Sequence, residues 1–168
     1  MDILIVVDMQ NDFIDGALGT KEAVGIVKNC EDKIKNFKGE VIFTRDTHFE
    51  NYMNTQEGDK LPVPHCIKGT YGHEICDTLK PYVKKEPIDK ITFGSKELPE
   101  ILGKTENISS ITLIGLCTDI CVISNAMVLK AHFPEVKILV DSKCCAGVTP
   151  QSHENALNAM KMCQIEVI

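Results

Sequence analysis

Short apolar runs rich in Val and Ile alternate with longer stretches of helical period along this chain. "ILIVV" at 3–7 is apolar without alternation, the pattern of a strand buried on both faces. A stripe through Val24, Val27, Ile34 and Phe37 predicts a helix over 21–37, with Gly39 just beyond its end. "EVIFT" (40–44) is a second strand and "DKITF" (89–93) a short third. Between them, 48–72 mixes Pro, Gly and polar residues without period, and so long a loop in a compact domain is usually functional. "GHEICDTLKPY" (72–82) starts with helical character. A short helix over 95–102, with Ser95 as N-cap, precedes the strongly apolar strand "SSITLIG" (109–115). Residues 118–133 read as a helix apolar on most faces, which places it in the interior or at an interface. Strand 136–141, a helix over 149–163 with Thr149 as cap and Pro150 in its first turn, and a last strand "IEVI" close the series.

Strands alternating with helices imply right-handed β-α-β units, hence an α/β fold in three layers: a mostly parallel sheet with helices on both faces. With no internal repeat or linker, residues 1–168 read as a single domain. Ligands of such sheets bind beyond the carboxyl ends of the strands. Asp8 directly follows the first strand, Asp46 and His48 follow the second, and Cys117 and Cys121 follow strand 109–115. The chemically capable residues therefore fall on one edge of the predicted sheet.

The net charge of -6 argues against nucleic-acid binding, which needs clustered Lys and Arg. No apolar run is long enough to span a membrane, and Ile3–Val7 is too short for a secretory signal. These features predict a cytoplasmic protein whose eight cysteines stay reduced. No pair has the C-x-x-C spacing of a zinc ribbon or thioredoxin-like site.

Cys121 opens a helix capped by Thr118 or Asp119, where free backbone N–H groups favour a thiolate and can hold an oxyanion. The N–H of Cys117 can join them, while the thiols of Cys117, Cys144 and Cys145 read as structural. Asp8, at the end of a central strand, is a partly desolvated carboxylate suited to act as a base. Lys90 is a candidate cation, though spacing alone favours a surface lysine. Asp46 and His48 share one side of an extended segment, His65 lies on the returning loop, and Glu57 lies between. Carboxylate plus imidazole suits zinc, iron or manganese, and two solvated histidines are the competing reading. His132 and His153 read as packing or surface residues.

Together "LIVVDMQNDF", "TRDTHF", "PHCIKGTYG", "DKITFGS" and "GLCTDICV" resemble the isochorismatase-like cysteine hydrolases, and within them the nicotinamidases, in the same order and over nearly the whole chain. The resemblance implies six parallel strands and a triad of Asp8 as base, Lys90 as cation and Cys121 as nucleophile. It further implies an oxyanion hole from the backbones of Cys117 and Cys121, with a cis peptide at Leu116–Cys117. Asp46, His48 and His65 match the family's metal ligands, and Glu57 stands where some members supply a fourth. Phe13 and Leu116 fall at substrate-binding positions. The implied activity is hydrolysis of a small carboxamide, nicotinamide first, through a thioester, with a divalent metal ion as cofactor. Where the family places a second ring-stacking aromatic ahead of the metal histidine, this chain has Leu61 and Pro62, leaving Tyr52 or Tyr71 to supply a wall. A cysteine hydrolase for another amide or carbamoyl compound, an isochorismatase, and a silent binding protein on the same fold are the alternatives. The apolar helix 118–133 permits a homo-oligomer.

Overall fold

The computed structural model describes residues 1–168. In chain order the elements are β1 (Asp2–Val7), α1 (Asn11–Ile14), α2 (Lys21–Asn36), β2 (Glu40–Asp46), α3 (Gln56–Lys60) and β3 (Ile88–Lys90). They continue with α4 (Glu97–Leu102), β4 (Ser110–Leu116), α5 (Ile123–His132), β5 (Lys137–Ala146), α6 (Pro150–Met162) and β6 (Glu166–Val167). The strands form one parallel sheet in the order β3-β2-β1-β4-β5-β6. The chain builds outward from β1 to β3, then crosses to the other side of β1 and builds outward again. The reversal leaves a crevice between the carboxyl ends of β1 and β4, where an open α/β sheet holds its ligand.

β1 is buried on both faces as its unbroken apolar run predicts. Ile3, Ile5 and Val7 join the core beneath α4, α5 and α6, whereas Leu4 and Val6 join the core beneath α2. No helix is long and apolar enough to cross a membrane.

Several elements differ from their expected bounds. The buried stripe of α2 runs through Ala23, Ile26, Cys30 and Ile34, and Val24 is 52% exposed. The small Ala23 and Cys30 let the helix approach the sheet, and the Cys30 thiol donates to the Cys144 carbonyl at 3.3 Å. Residues 72–82 form no α-helix, only single 3-10 turns at Tyr71–His73 and Lys80–Tyr82, and Pro81 supplies no amide donor there. β3 stops at Lys90, whose carbonyl accepts the Thr47 N–H at 2.8 Å, so Ile91–Phe93 leave the sheet. β5 continues past 141 to Ala146: after an irregularity opposite Leu113–Gly115 it pairs again, burying Cys144 and Cys145. Ser95 caps as expected, its hydroxyl accepting the Leu98 N–H at 3.0 Å. Thr149 and Ser152 form a full capping box at α6, with Pro150 in its first turn.

Gly115, near the end of β4, has φ +115°, and a Cβ there would lie 2.1 Å from the Val7 carbonyl oxygen. Neither backbone can yield, because the two strands are paired at that point. Gly115→Ala should therefore cost about 3 kcal/mol or more, read as a lower urea midpoint at unchanged slope. An unchanged midpoint would contradict this account of the β1–β4 junction.

Candidate active site

Four strand ends meet at the crevice. Register sets Asp46 directly beside Lys90 across β2 and β3, and Val7 beside Gly115 across β1 and β4. Asp8 follows Val7 with φ +48°, an uncommon conformation for a residue with a side chain. Its amide N–H donates to Thr44 Oγ1 at 3.3 Å, and the same hydroxyl donates back to Asp8 Oδ1 at 2.7 Å. Thr44 thereby fixes both the turn and the carboxylate.

Asp8, Lys90 and Cys121 are all buried and come together. Lys90 Nζ lies 2.6 Å from Asp8 Oδ2, 3.5 Å from Cys121 Sγ and 3.4 Å from Asp46 Oδ1. Its ammonium also donates to the Thr92 carbonyl at 3.1 Å. Burial alone would neutralise Lys90, but Asp8, Cys121 and Asp46 outweigh it and keep the amine cationic. Burial raises the Asp8 carboxyl above the ordinary carboxylate range, with Lys90 opposing and Asp46 adding to the shift. Asp8 Oδ2 touches Lys90 as an ion pair but receives no well-directed hydrogen bond, so a buried acceptor stands open. Burial and the Asp8 charge raise the Cys121 thiol well above its usual value, and Lys90 offsets part of that shift. Burial, Asp119 and Asp8 push the Cys117 thiol up to about 12, with no cation beside it to offset them.

The Leu116–Cys117 peptide is cis, as the family resemblance implies. Thr118–Val122 then form one wide π turn rather than the start of a regular α-helix. The Cys117 carbonyl accepts the N–H groups of Ile120 at 3.1 Å and Val122 at 3.0 Å, passing over that of Cys121 between them. Such turns widen a helix locally and recur at functional sites. The Cys117 N–H has no backbone acceptor. Leu116 differs from its expected placement: its side chain is buried in the core layer with Ile114 and Ala146 and does not line the pocket.

A second cluster adjoins the first through Asp46. Asp46 Oδ2 faces His48 Nε2 at 2.8 Å and His65 Nε2 at 3.5 Å, while Oδ1 faces Lys90. Glu57 Oε1 lies 3.6 Å from His48 Nε2 and 3.8 Å from His65 Nε2. One donor atom from each of the four lies within 4.8 Å of all the others. His65 Nδ1 donates to the Val63 carbonyl at 2.8 Å, which orients the ring so that Nε2 faces the two carboxylates. Burial would raise Asp46, but hydrogen bonds from the two histidines and the charge of Lys90 outweigh it and hold the carboxyl well below the usual range. Burial and the Asp46 charge raise Glu57. With Nε2 deprotonated, the two imidazoles and the two crowded carboxylates form a donor set that fits a divalent cation, which would take the place of the Nε2–H bonds to Asp46.

Both clusters open into one small pocket, lined by Asp46, Glu57, His65, Cys117, Cys121, Phe13, Leu18, Leu61, Phe93 and Ile120. Neither tyrosine supplies a wall. Tyr71 is 66% exposed elsewhere, and Tyr52 is buried edge-on behind His48 and His65, its hydroxyl donating to the Leu61 carbonyl at 2.8 Å. His132 and His153 stay outside the site, His153 bonded through Nδ1 to the Thr118 hydroxyl at 2.7 Å.

Sequence reasoning missed four supporting residues. Gln10 is fully buried, donating to the Asp46 carbonyl at 2.8 Å and the His73 carbonyl at 2.9 Å, and accepting the Asp46 N–H at 2.7 Å. Thr44, Asn125 and Phe93 were likewise not singled out. Polar residues next to a buried strand were the available signal for Gln10 and Thr44, and nothing local marked the other two.

Residues 2–168 match the isochorismatase domain, and the chain belongs to the isochorismatase family of hydrolases. It is 30% identical over 173 residues to an uncharacterized isochorismatase family protein of Bacillus subtilis, covering 92% of this chain and 91% of that one. It is 25% identical to the nicotinamidase/pyrazinamidase of Mycobacterium tuberculosis, covering 100% of this chain and 98% of the relative. Among solved structures, the pyrazinamidase of Pyrococcus horikoshii in complex with zinc superposes with a TM-score of 0.83 at 28% identity, covering 99% of this chain and 98% of that one.

Proposed function

We propose that this hydrolase is a metal-dependent amidase that converts nicotinamide to nicotinate and ammonia through a thioester on Cys121. One observation carries the reading: the buried Asp8–Lys90–Cys121 group and the Asp46–His48–Glu57–His65 donor set share Asp46 and open into the same pocket. The named activities of its nicotinamidase and pyrazinamidase relatives agree with it.

The proton of the Cys121 thiol passes to Asp8 Oδ2, the open acceptor, as sulfur attacks the carboxamide carbon. Lys90, held cationic, balances the charge as it moves from carboxylate to sulfur. The carbonyl oxygen of the substrate gathers charge against the N–H groups of Cys117 and Cys121. Asp8 then gives its proton to departing ammonia and takes one from the water that cleaves the thioester. Asp46, His48, His65 and Glu57 would hold a divalent ion, zinc by donor preference with iron or manganese also suited, offering a Lewis-acidic position for a ring nitrogen.

Zinc-loaded protein should release ammonia from nicotinamide, and EDTA should lower the rate about 100-fold until zinc is restored. Turnover untouched by metal removal would contradict the role given to the four-residue cluster. No turnover of nicotinamide by zinc-loaded protein would contradict the substrate.

A further inference from the structure

Thr118 and Asp119 are the side chains that the sequence offers as caps for the segment carrying Cys121, and neither caps it. Both reach away from the turn to the connection between β5 and α6. The fully buried Thr118 hydroxyl shares its 2.7 Å hydrogen bond with His153 Nδ1. The Asp119 carboxylate accepts the Val148 N–H at 3.1 and 3.3 Å. The turn thus has no side-chain cap of its own, and two bonds to one neighbouring segment fix its first residues instead.

That segment is firmly held. The capping box of Thr149 and Ser152 closes the start of α6, and Leu157 and Met160 seat the helix in the core. Gly147 folds so closely against the first turn of α6 that an added Cβ would lie 2.8 Å from the His153 amide nitrogen. His153 is half-buried and lines no part of the pocket. Its imidazole reaches the site through Thr118 alone.

Thr118 lies directly after Cys117 and opens the turn that contains Cys121. The Cys117–Thr118 peptide sets the direction of the Cys117 carbonyl, which holds the N–H groups of Ile120 and Val122. Those two bonds shape the turn on which the Cys121 N–H is presented. A shift of Thr118 therefore moves the Cys117 and Cys121 N–H groups together, and two donors serve one oxyanion only when both point at it from about 2.7–3.1 Å.

We propose that His153 is a positioning residue for the oxyanion hole: through the Thr118 hydroxyl it holds the turn that aligns the Cys117 and Cys121 N–H groups. The proposal rests on the amidase reading for its reaction and adds a residue outside the pocket to it.

The test uses zinc-loaded protein and two substrates, nicotinamide and p-nitrophenyl acetate, an activated ester that needs no ring recognition. In His153→Ala, kcat for both should fall about 30-fold, with KM for nicotinamide within about twofold of wild type. His153→Asn, whose amide can stand in for Nδ1, should recover most of the loss. Thr118→Val should lose about as much as His153→Ala, and the double variant no more than either, because the same bond is missing in all three. Iodoacetamide alkylates sulfur at a saturated carbon and forms no oxyanion, so its rate with Cys121 should stay within about twofold of wild type in His153→Ala. A purely structural role would lower the urea midpoint and leave kcat of the folded protein unchanged, and that result overturns the proposal. Alkylation slowed in parallel with turnover also overturns it, since the effect would then lie on the sulfur. His153 is half-buried, so its two variants decide the matter even where Thr118→Val does not fold. Wild-type protein that hydrolyses the ester but not nicotinamide ends the nicotinamide reading and leaves this test intact. Wild-type protein that hydrolyses neither ends both.

Discussion

Cys121→Ala should abolish turnover, with kcat falling by about 10⁴-fold or more, while the fold and metal content stay intact. The effect is large because nothing else in the pocket can replace the sulfur. Cys117 is the nearest thiol in sequence, but no cation opposes the burial and the acidic charges that raise it, whereas Lys90 faces Cys121 at 3.5 Å, and the proposed role of Cys117 is through its backbone. Removing one buried sulfur leaves a small void among Val122, Ala126 and their neighbours, a cost of about 1 kcal/mol. Circular dichroism and bound zinc matching the wild type, alongside lost ammonia release, would separate a chemical from a structural role. Retention of more than a few per cent of the activity would point to a nucleophile other than Cys121.

Lys90→Met should affect both stability and rate. Lys90 is the cation that faces Asp8 and Asp46, two buried carboxylates, and a methionine of similar reach fills the space without neutralising either. Breaking a buried pair from one side costs about 3–5 kcal/mol, and here two acids lose their partner at once. A urea titration should show the midpoint falling accordingly at neutral pH. The surviving folded protein should be at least about 10³-fold slower, since no charge is left to balance the proton transfer from sulfur. The sign of the pH effect is fixed as well. Burial raises Asp8 and Lys90 opposes that shift, so removing Lys90 raises Asp8 further. Asp8 acts as base only when ionised, and activity is lost as pH falls through its pKa. The acid limb of the residual rate should therefore move to higher pH in the variant. A limb that stays in place would mean that Asp8 is not the group titrating.

The sheet was legible because burial on both faces leaves an unbroken apolar run, as in "ILIVV" and "ITLIG", which no exposed strand would carry. Chemical residues at strand ends were legible for the same reason: Asp8, Asp46 and Cys121 each follow such a run, and the topology brings those ends together. Lys90 shows the limit of spacing. A lysine beside a turn reads as surface, and only the register of β3 against β2 puts it opposite Asp46 and against Asp8. The α2 stripe was misplaced by one position because Ala23 and Cys30, which do the packing, carry less hydrophobic weight than the exposed Val24. Phe93 and Asn125 stayed hidden because their meeting depends on β3 ending three residues earlier than its β-branched sequence predicts. Leu116 was placed in the pocket by resemblance, but the strand's alternation turns its side chain into the core.

The central claim is a covalent acyl intermediate on Cys121, and intact-mass spectrometry of zinc-loaded protein quenched in acid during nicotinamide turnover tests it most directly. The account predicts a nicotinoyl adduct that maps to the peptide containing Cys121, disappears once substrate is exhausted and is absent from Cys121→Ala. Steady ammonia release with no adduct at any quench time, or an adduct on another residue, would contradict it.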